Sequence, residues 1–442
     1  MLVGFLLLPT FDFKAATSGG NAAQLVLAAL ALFCGIVFCL QRRPYPGSRP
    51  LQALIVVWWT MLGLNLFTTL IGSASNLTDT TFDTYTRAAL PYLFFGLSLS
   101  VVQAMARKGC RIEDLANPMF LLAMVSVVFH YLYAKIGLGV STDELRWEAL
   151  TPYILPSLGG FFTGLFLQKK VSPVLILLSV LTLGTILLSI TRSYLLVGFS
   201  MVPAALYALW KMPSISKGAK LRRLLVVGAA LFVTAFATIS LIFVIRPNTF
   251  ETWSQRLFRP PNQRTDPSLL QRRMNNSGVL LELKKSPYVL TFGKGFGGGY
   301  YPDYRDAPEF RSMVSDITTR ESFVGVDSLP VTALLFTGIF GLLAQLAVLC
   351  FGIWHSFRGV PLQTSEPGSD GRWASWPFIT LVGLFPTITT SNSFTYRGDS
   401  LVLGLIVALG VASGDRRFTD AIRVPIVRRR KVRAKVPAQN PA

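Results

Sequence analysis

Residues 246–327 read RPNTFETWSQRLFRPPNQRTDPSLLQRRMNNSGVLLELKKSPYVLTFGKGFGGGYYPDYRDAPEFRSMVSDITTRESFVGVD. This is the one long polar stretch in a chain whose other connections are short. It is set between strongly apolar segments. Irregular polar backbone finds no partners for its N–H and C=O groups in hydrocarbon. A segment of this length is therefore expected to form a structure on one side of a membrane. It carries many arginines, several carboxylates and a cluster of glycines, so the chemistry of the chain is expected there.

Outward from this stretch the chain is apolar in both directions. A spanning helix needs roughly 20 apolar residues. The segments that qualify are 21–40, 51–72, 88–106, 118–138, 150–168, 172–190, 193–210, 224–245, 329–353, 374–392 and 399–413. The composition agrees: 14% of residues are charged and the mean hydropathy is +0.49, whereas soluble domains average about 25% charged residues. The expected fold class is an all-α polytopic membrane protein of about 11–12 transmembrane helices with one large extracytoplasmic loop domain. The run Met1–Phe11 is apolar but short, and reads as a half-helix, a short twelfth span or an interfacial segment. It has no basic start of the kind that precedes the apolar run of a signal peptide.

The short loops alternate in charge. One set is basic: Arg42, Arg43 and Arg49; Arg107, Lys108 and Arg111; Lys169 and Lys170; Lys217, Lys220, Arg222 and Arg223; Arg358 and Arg372. In the other set, Asp79 and Asp83 outweigh Arg87, while Asp143, Glu144 and Glu148 outweigh Arg146. By the positive-inside rule the basic set is cytoplasmic, together with the tail Arg416–Lys435. The polar stretch then lies outside. This divides the chain into N-terminal transmembrane helices (1–245), an extracytoplasmic loop domain (246–328), C-terminal transmembrane helices (329–413) and a basic cytoplasmic tail (414–442).

The formal net charge of +20 does not indicate nucleic acid as a partner. Much of the excess sits in the topogenic loops and the tail, where anionic lipid headgroups account for it. Cys34, Cys39, Cys110 and Cys350 all fall in spans or on the cytoplasmic side, so no disulfide framework is implied. With only His130 and His355, and no Asp-x-Asp in the polar stretch, no metal site is expected. His130 lies within a span and reads as a packed, hydrogen-bonded histidine. Gly160 and Gly164 form a small-xxx-small pair, a helix-packing signal.

Within the polar stretch, 246–268 is rich in Pro, Arg and Asn. Leu269–Lys285 has a helical apolar pattern through Leu269, Leu270, Met274, Val279, Leu280 and Leu283, stopped by Ser286–Pro287. Arg272 and Arg273 lie near its start, where free N–H groups also favour anions. Together they can hold a pyrophosphate; the plainer reading is a solvated face beside headgroups. Gly293–Gly299 is not a phosphate-binding Walker loop, since no Gly-Lys-Ser/Thr follows. Gly295 and Gly297 there would let backbone approach a ligand, or simply turn the chain.

Arg192 stands in Ser189–Ile190–Thr191–Arg192–Ser193, where two apolar stretches meet on the same side as the polar stretch. An arginine at that depth faces a partner or a wet cavity, and its planar guanidinium suits phosphate; the plainer reading is a snorkelling residue in a hairpin. Asp327 lies where the chain re-enters the membrane. Desolvation can raise a carboxyl pKa there and suit it to general-base work, although Asp327–Ser328 before Leu329–Pro330 also reads as a helix cap. Glu321 is the rival base. Arg305, Arg311, Arg320 and Arg397 are further candidate glycan or phosphate contacts.

The order of these motifs resembles the O-antigen polymerase and O-antigen ligase superfamily of bacterial envelope glycosyltransferases. The resemblance rests on many spans before one large external loop, on the hairpin SITRSYLLVG, and on RRMNNSGVLLELKKSPYVLTFGKGFG. It also rests on the re-entry segment VDSLPVTALLFTGIFGLL, in which Gly338 and Gly341 match a Gly-x-x-Gly. It covers residues 170–350, and the earlier spans by topology alone. It implies a metal-independent glycosyltransferase without cofactor in the bacterial inner membrane. Such an enzyme takes a glycan from a polyprenyl pyrophosphate carrier at the outer face, and works alongside a flippase and a chain-length regulator. Arg192 and Arg272 or Arg273 would hold the pyrophosphate while an acceptor hydroxyl attacks the anomeric carbon. Ligases of the superfamily carry His-Asn at the re-entry motif, where this chain has Asp327–Ser328. The family's Trp after the helix arginine is missing here, with Asn275 and Asn276 nearby. These departures favour polymerisation of lipid-linked repeat units over ligation to a lipid A core or a protein. A glycan transporter is the rival from another class; the lack of obvious repeats and of acidic residues deep within spans counts against it.

Overall fold

The computed structural model describes residues 1–12, 20–41, 47–75, 80–110, 112–137, 151–167, 173–189, 192–212, 215–245, 267–303, 323–324, 328–363, 373, 375–388 and 396–415. Each apolar segment becomes a helix. Before the polar stretch these are α1 (Leu2–Phe11), α2 (Gly20–Leu40), α3 (Arg49–Ala74), α4 (Phe82–Lys108), α5 (Glu113–Leu132), α6 (Ile154–Leu167), α7 (Pro173–Ser189), α8 (Arg192–Lys211) and α9 (Lys217–Ile245). After it come α12 (Leu329–Gln363), α13 (Ser375–Ile388) and α14 (Arg397–Ser413). Between them lie α10 (Pro267–Lys284), the short α11 (Pro287–Phe292), and a two-stranded antiparallel pair. In that pair β1 (Gly299–Tyr300) sets Gly299 opposite Val324 and Tyr300 opposite Phe323 of β2 (Phe323–Val324).

Among the described residues, α2, α3, α4, α5, α8 and α12 contain stretches long and apolar enough to cross a membrane, and α1, α6 and most of α7 are apolar but shorter. The chain is thus an all-α membrane protein. Helices suit lipid because a helix satisfies its own backbone hydrogen bonds.

Local chemistry sets the helix ends. α3 starts at Ser48, whose Oγ accepts from Leu51 N, with Pro50 in the first turn. The same Ser48 exchanges two hydrogen bonds with the Gln103 side chain, at 3.1 and 3.0 Å, tying the start of α3 to α4. α4 begins with a reciprocal capping box between Thr81 and Thr84 and ends on Gly109 in the left-handed conformation.

α14 and α4 form the most extensive helix contact. Gly404 approaches the Phe95 backbone, and the Ser98 hydroxyl, which also donates to Phe94 O in its own helix, reaches the Leu401 carbonyl at 2.8 Å. α13 packs on α8 and α6, with Gly383 against Met201 and Gly159 against Thr380. Gly160 meets the Phe120 ring. Gly352 lies against Val407 and Gly359 against Ser413, so α14 runs beside α12 in the same direction.

α1 is a half-helix. Its ten residues span about 15 Å at 1.5 Å per residue, half of a hydrocarbon core of about 30 Å. It packs on α2, α5 and α14. His130 is fully buried with Nε2 3.2 Å from the Thr10 carbonyl, the packed histidine expected from its place in a span. The Tyr153 hydroxyl donates to Leu6 O at 2.8 Å.

Candidate functional site

The re-entry helix α12, expected as a span over 329–353, is broken at Gly338, which has φ 62° and ψ −166°. A break at this depth frees carbonyls that must find partners within the protein. They do: Lys294 N donates to Leu335 O at 2.7 Å, Gly295 N to Phe336 O at 3.1 Å, and Asn65 Nδ2 of α3 to Phe336 O at 2.8 Å. The glycine-rich turn Gly293–Gly299, a glycine knot, is therefore plugged into the broken helix. Phe296 at its centre is fully buried, with its ring 4.3 Å from Tyr92 and 6.0 Å from Phe336.

The knot also seals against the ends of α3 and α4. A side chain at Gly295 would strike Thr69, and one at Gly297 would strike the Thr84 backbone at 2.4 Å. The Thr80 hydroxyl donates to Lys294 O at 2.9 Å, and the Tyr288 hydroxyl donates to Thr68 O. Gly295 and Gly297, expected as contacts for glycan or phosphate, thus have protein where a ligand would approach. In the fold Gly297 lets two backbones cross, and Gly295 lets the turn pass over the Thr69 side chain.

α10 is held on top of this plug. Met274, Gly278, Val279, Glu282 and Leu283 form its buried stripe, close to the periodic pattern of the sequence, except that Leu280 is 49% exposed. Gly278 abuts the Tyr301 carbonyl, and Asp303 N donates to Met274 O at 3.0 Å. The lock is a buried ion pair. Lys294 Nζ lies 3.4 Å from Glu282 Oε2 and donates to Gly299 O at 2.8 Å, while Lys285 takes the other carboxylate oxygen at 2.6 Å. Arg272 and Arg273 ride on the opposite part of α10, the first partly buried and the second exposed.

A second cluster gathers the starts of α6, α8 and α14 and the end of α13. Tyr194, two residues into α8, shares a narrow cavity of about 40 Å³ with Asp399, Thr151 and Thr387. At roughly 10–15 Å³ per water this holds about three waters. The buried Thr151 hydroxyl on its wall finds no hydrogen-bond partner among the described residues. Arg192 is placed by its backbone as the first residue of α8. Arg397 is placed fully: its guanidinium is 2.9 Å from Asp12 Oδ1 and 3.1 Å from Gln24 Oε1, and Gly398 N donates to Asp12 Oδ2 at 2.9 Å. That residue, expected as a phosphate or glycan contact, fastens the end of α1 to the start of α14.

Because α14 starts at the same end of α12 that receives the knot, both clusters lie at one end of the bundle. Arg192, Arg272, Arg273 and Arg397 are brought to that end from three separated stretches of sequence. Glu321, Asp327, Arg305, Arg311 and Arg320 lie outside the described residues. Among the described residues no group of His, Cys, Asp or Glu is arranged to hold a metal ion.

Sequence reasoning passed over Lys294, Glu282 and Asn65. A lysine flanked by glycines in a loop facing water reads as solvated. The only available signal was that Glu282 falls on the apolar stripe of α10, where a carboxylate needs a partner. Compared with known proteins, the chain matches no protein-family model and no curated protein.

Proposed function

We propose that the chain is a polysaccharide polymerase that joins oligosaccharide repeat units carried on polyprenyl pyrophosphate, at the outer face of the bacterial inner membrane. In this reading α2–α9 and α12–α14 span the membrane, the knot end faces outward, and the basic tail is cytoplasmic. The observation that carries the proposal is the gathering of Arg192 with the Arg272–Arg273 helix at one end of the bundle, with α10 locked in place by a buried ion pair.

The chemistry follows from charge. Departure of a pyrophosphate from an anomeric carbon needs stabilisation of developing negative charge more than it needs a proton. Fixed guanidinium groups in a poorly hydrated cleft supply it, with the planar fork of arginine matching phosphate oxygens. Arg192, Arg272 and Arg273 grip the donor's pyrophosphate. An acceptor sugar hydroxyl attacks the anomeric carbon, its proton passing to Asp327 or Glu321. The donor is amphiphilic, so the site must open both to lipid and to water, as the end of a helical bundle does.

Substituting Arg192→Ala or Arg273→Ala in producing cells tests this reading. Loss of one such electrostatic contact is expected to cost roughly 3 kcal/mol, or about 10²-fold in rate. Polymer should then collapse to short chains at normal protein level. Normal long chains in both variants would refute the assignment.

A further inference from the structure

The break in α12 opens a groove beside the plug. About 290 Å³ in volume, it runs between α3 and α12 along Val56, Leu64, Phe340 and Ala344, and is closed toward the knot by Phe292 of α11. Its walls are almost wholly apolar. Val56, Leu64 and Phe340 are each more than 40% exposed, so it opens sideways on the flank of the bundle. It lies alongside the part of α3 nearer the knot. There the wall includes Asn65, 4% exposed, whose amide nitrogen is spent on the broken helix while its Oδ1, also buried, finds no hydrogen-bond partner among the described residues. α10 packs on both α11 and α12. The helix bearing Arg272 and Arg273 thus stands on the elements that cap and wall the groove.

We infer that this groove seats the isoprenoid chain of the donor. The inference rests on the proposed donor chemistry and assigns the residues that would receive the chain. Charge complementarity selects this occupant over a membrane phospholipid. An amphiphile whose tail lies between α3 and α12 presents its head to the α10 end, where two adjacent arginines match a pyrophosphate better than a phosphodiester of one negative charge. The apolar walls suit a hydrocarbon chain, which gains by leaving water. In lipid that gain is largely already made, so the groove acts by aligning the chain and hence the head.

Photo-crosslinking tests the inference. Benzoylphenylalanine is placed at Leu64 of the full chain, and as a control at Phe236, a lipid-exposed residue of α9 (65% exposed). The protein sits in vesicles of phosphatidylethanolamine and phosphatidylglycerol with radiolabelled, glycan-free polyprenyl pyrophosphate. The expected result is a polyprenyl adduct at Leu64 about tenfold above the control, a tenfold preference in binding, and competed by unlabelled carrier. Equal labelling at the two positions, or phospholipid adducts alone at Leu64, would overturn it. In a second arm Ala344→Trp narrows the groove. The ratio of kcat/KM for long-chain over short-chain donors should fall about tenfold, whereas equal loss for both would mean only damage to the fold. Crosslinking needs no turnover. An adduct without polymerisation would sink the proposed reaction and leave the groove standing, and polymerisation without an adduct would do the reverse.

Discussion

Gly338→Ala is expected to lose the folded protein. The residue has φ 62° and ψ −166°, a region occupied essentially by glycine alone, where any other residue costs about 1–3 kcal/mol. The added methyl would also lie 2.2 Å from the Thr291 carbonyl oxygen. That atom belongs to backbone at the end of α11, which is pinned by the knot and cannot swing aside as a flexible side chain could. Relief requires either closing the helix or lifting the knot. Closing it returns the Leu335 and Phe336 carbonyls to the helix but strands the Lys294 and Gly295 N–H groups. Each buried orphan costs about 1–3 kcal/mol. The combined cost of about 4 kcal/mol should appear as a large drop in thermal stability in detergent and in protein recovered from membranes. A variant that purifies in normal yield with an unchanged melting temperature would show that the break is not held by the knot.

The second large effect is expected at Lys294. Replacing it with methionine strands the Glu282 carboxylate, which is 7% exposed, with Lys285 left as its counter-charge among the described residues. Removing one partner of a buried ion pair costs about 3–5 kcal/mol. Lys285, whose own side chain is 65% exposed, keeps the expectation at the low end, near 3 kcal/mol. The double replacement Lys294→Met with Glu282→Leu should recover most of the loss, since a buried pair can be exchanged for apolar packing at little cost. A residue of about 1 kcal/mol should remain from the hydrogen bond to Gly299 O. Thermal unfolding of the two single variants and the double variant measures the coupling. A double variant as unstable as the sum of the singles would contradict the lock.

These two positions mark where the sequence was least transparent. Apolar length was enough to locate every helix from α2 to α9 and from α12 to α14, because in lipid a helix is the only form such a run can take. The α10 helix was legible in its periodicity and in the stop at Ser286–Pro287. The break at Gly338 was not. A glycine amid TALLFTGIFGLL reads as close packing, and nothing in apolar content records a positive φ. The pairing of Asp12 with Arg397, 385 residues apart, obeys no local rule. Nor does the Lys294–Glu282 pair, which crosses a helix end and a turn. Arg192 and the arginines of α10 were picked out by chemistry, as charges in places that need a reason. Their arrival at one end of the bundle followed from helix directions that no single motif encodes. The glycine knot reads either as a surface for a ligand or as a turn; in the fold it plugs a broken helix, and it serves the candidate site by holding α10 in place.

The full chain is purified, placed in vesicles and given lipid-linked repeat units alone, with no flippase, no second acceptor and with chelator present. The expected product is a ladder of longer glycans, each addition releasing one polyprenyl pyrophosphate. Transfer seen only when a lipid A core or protein acceptor is added, or movement of intact substrate across the membrane with no new glycosidic bond, would contradict the proposed polymerisation.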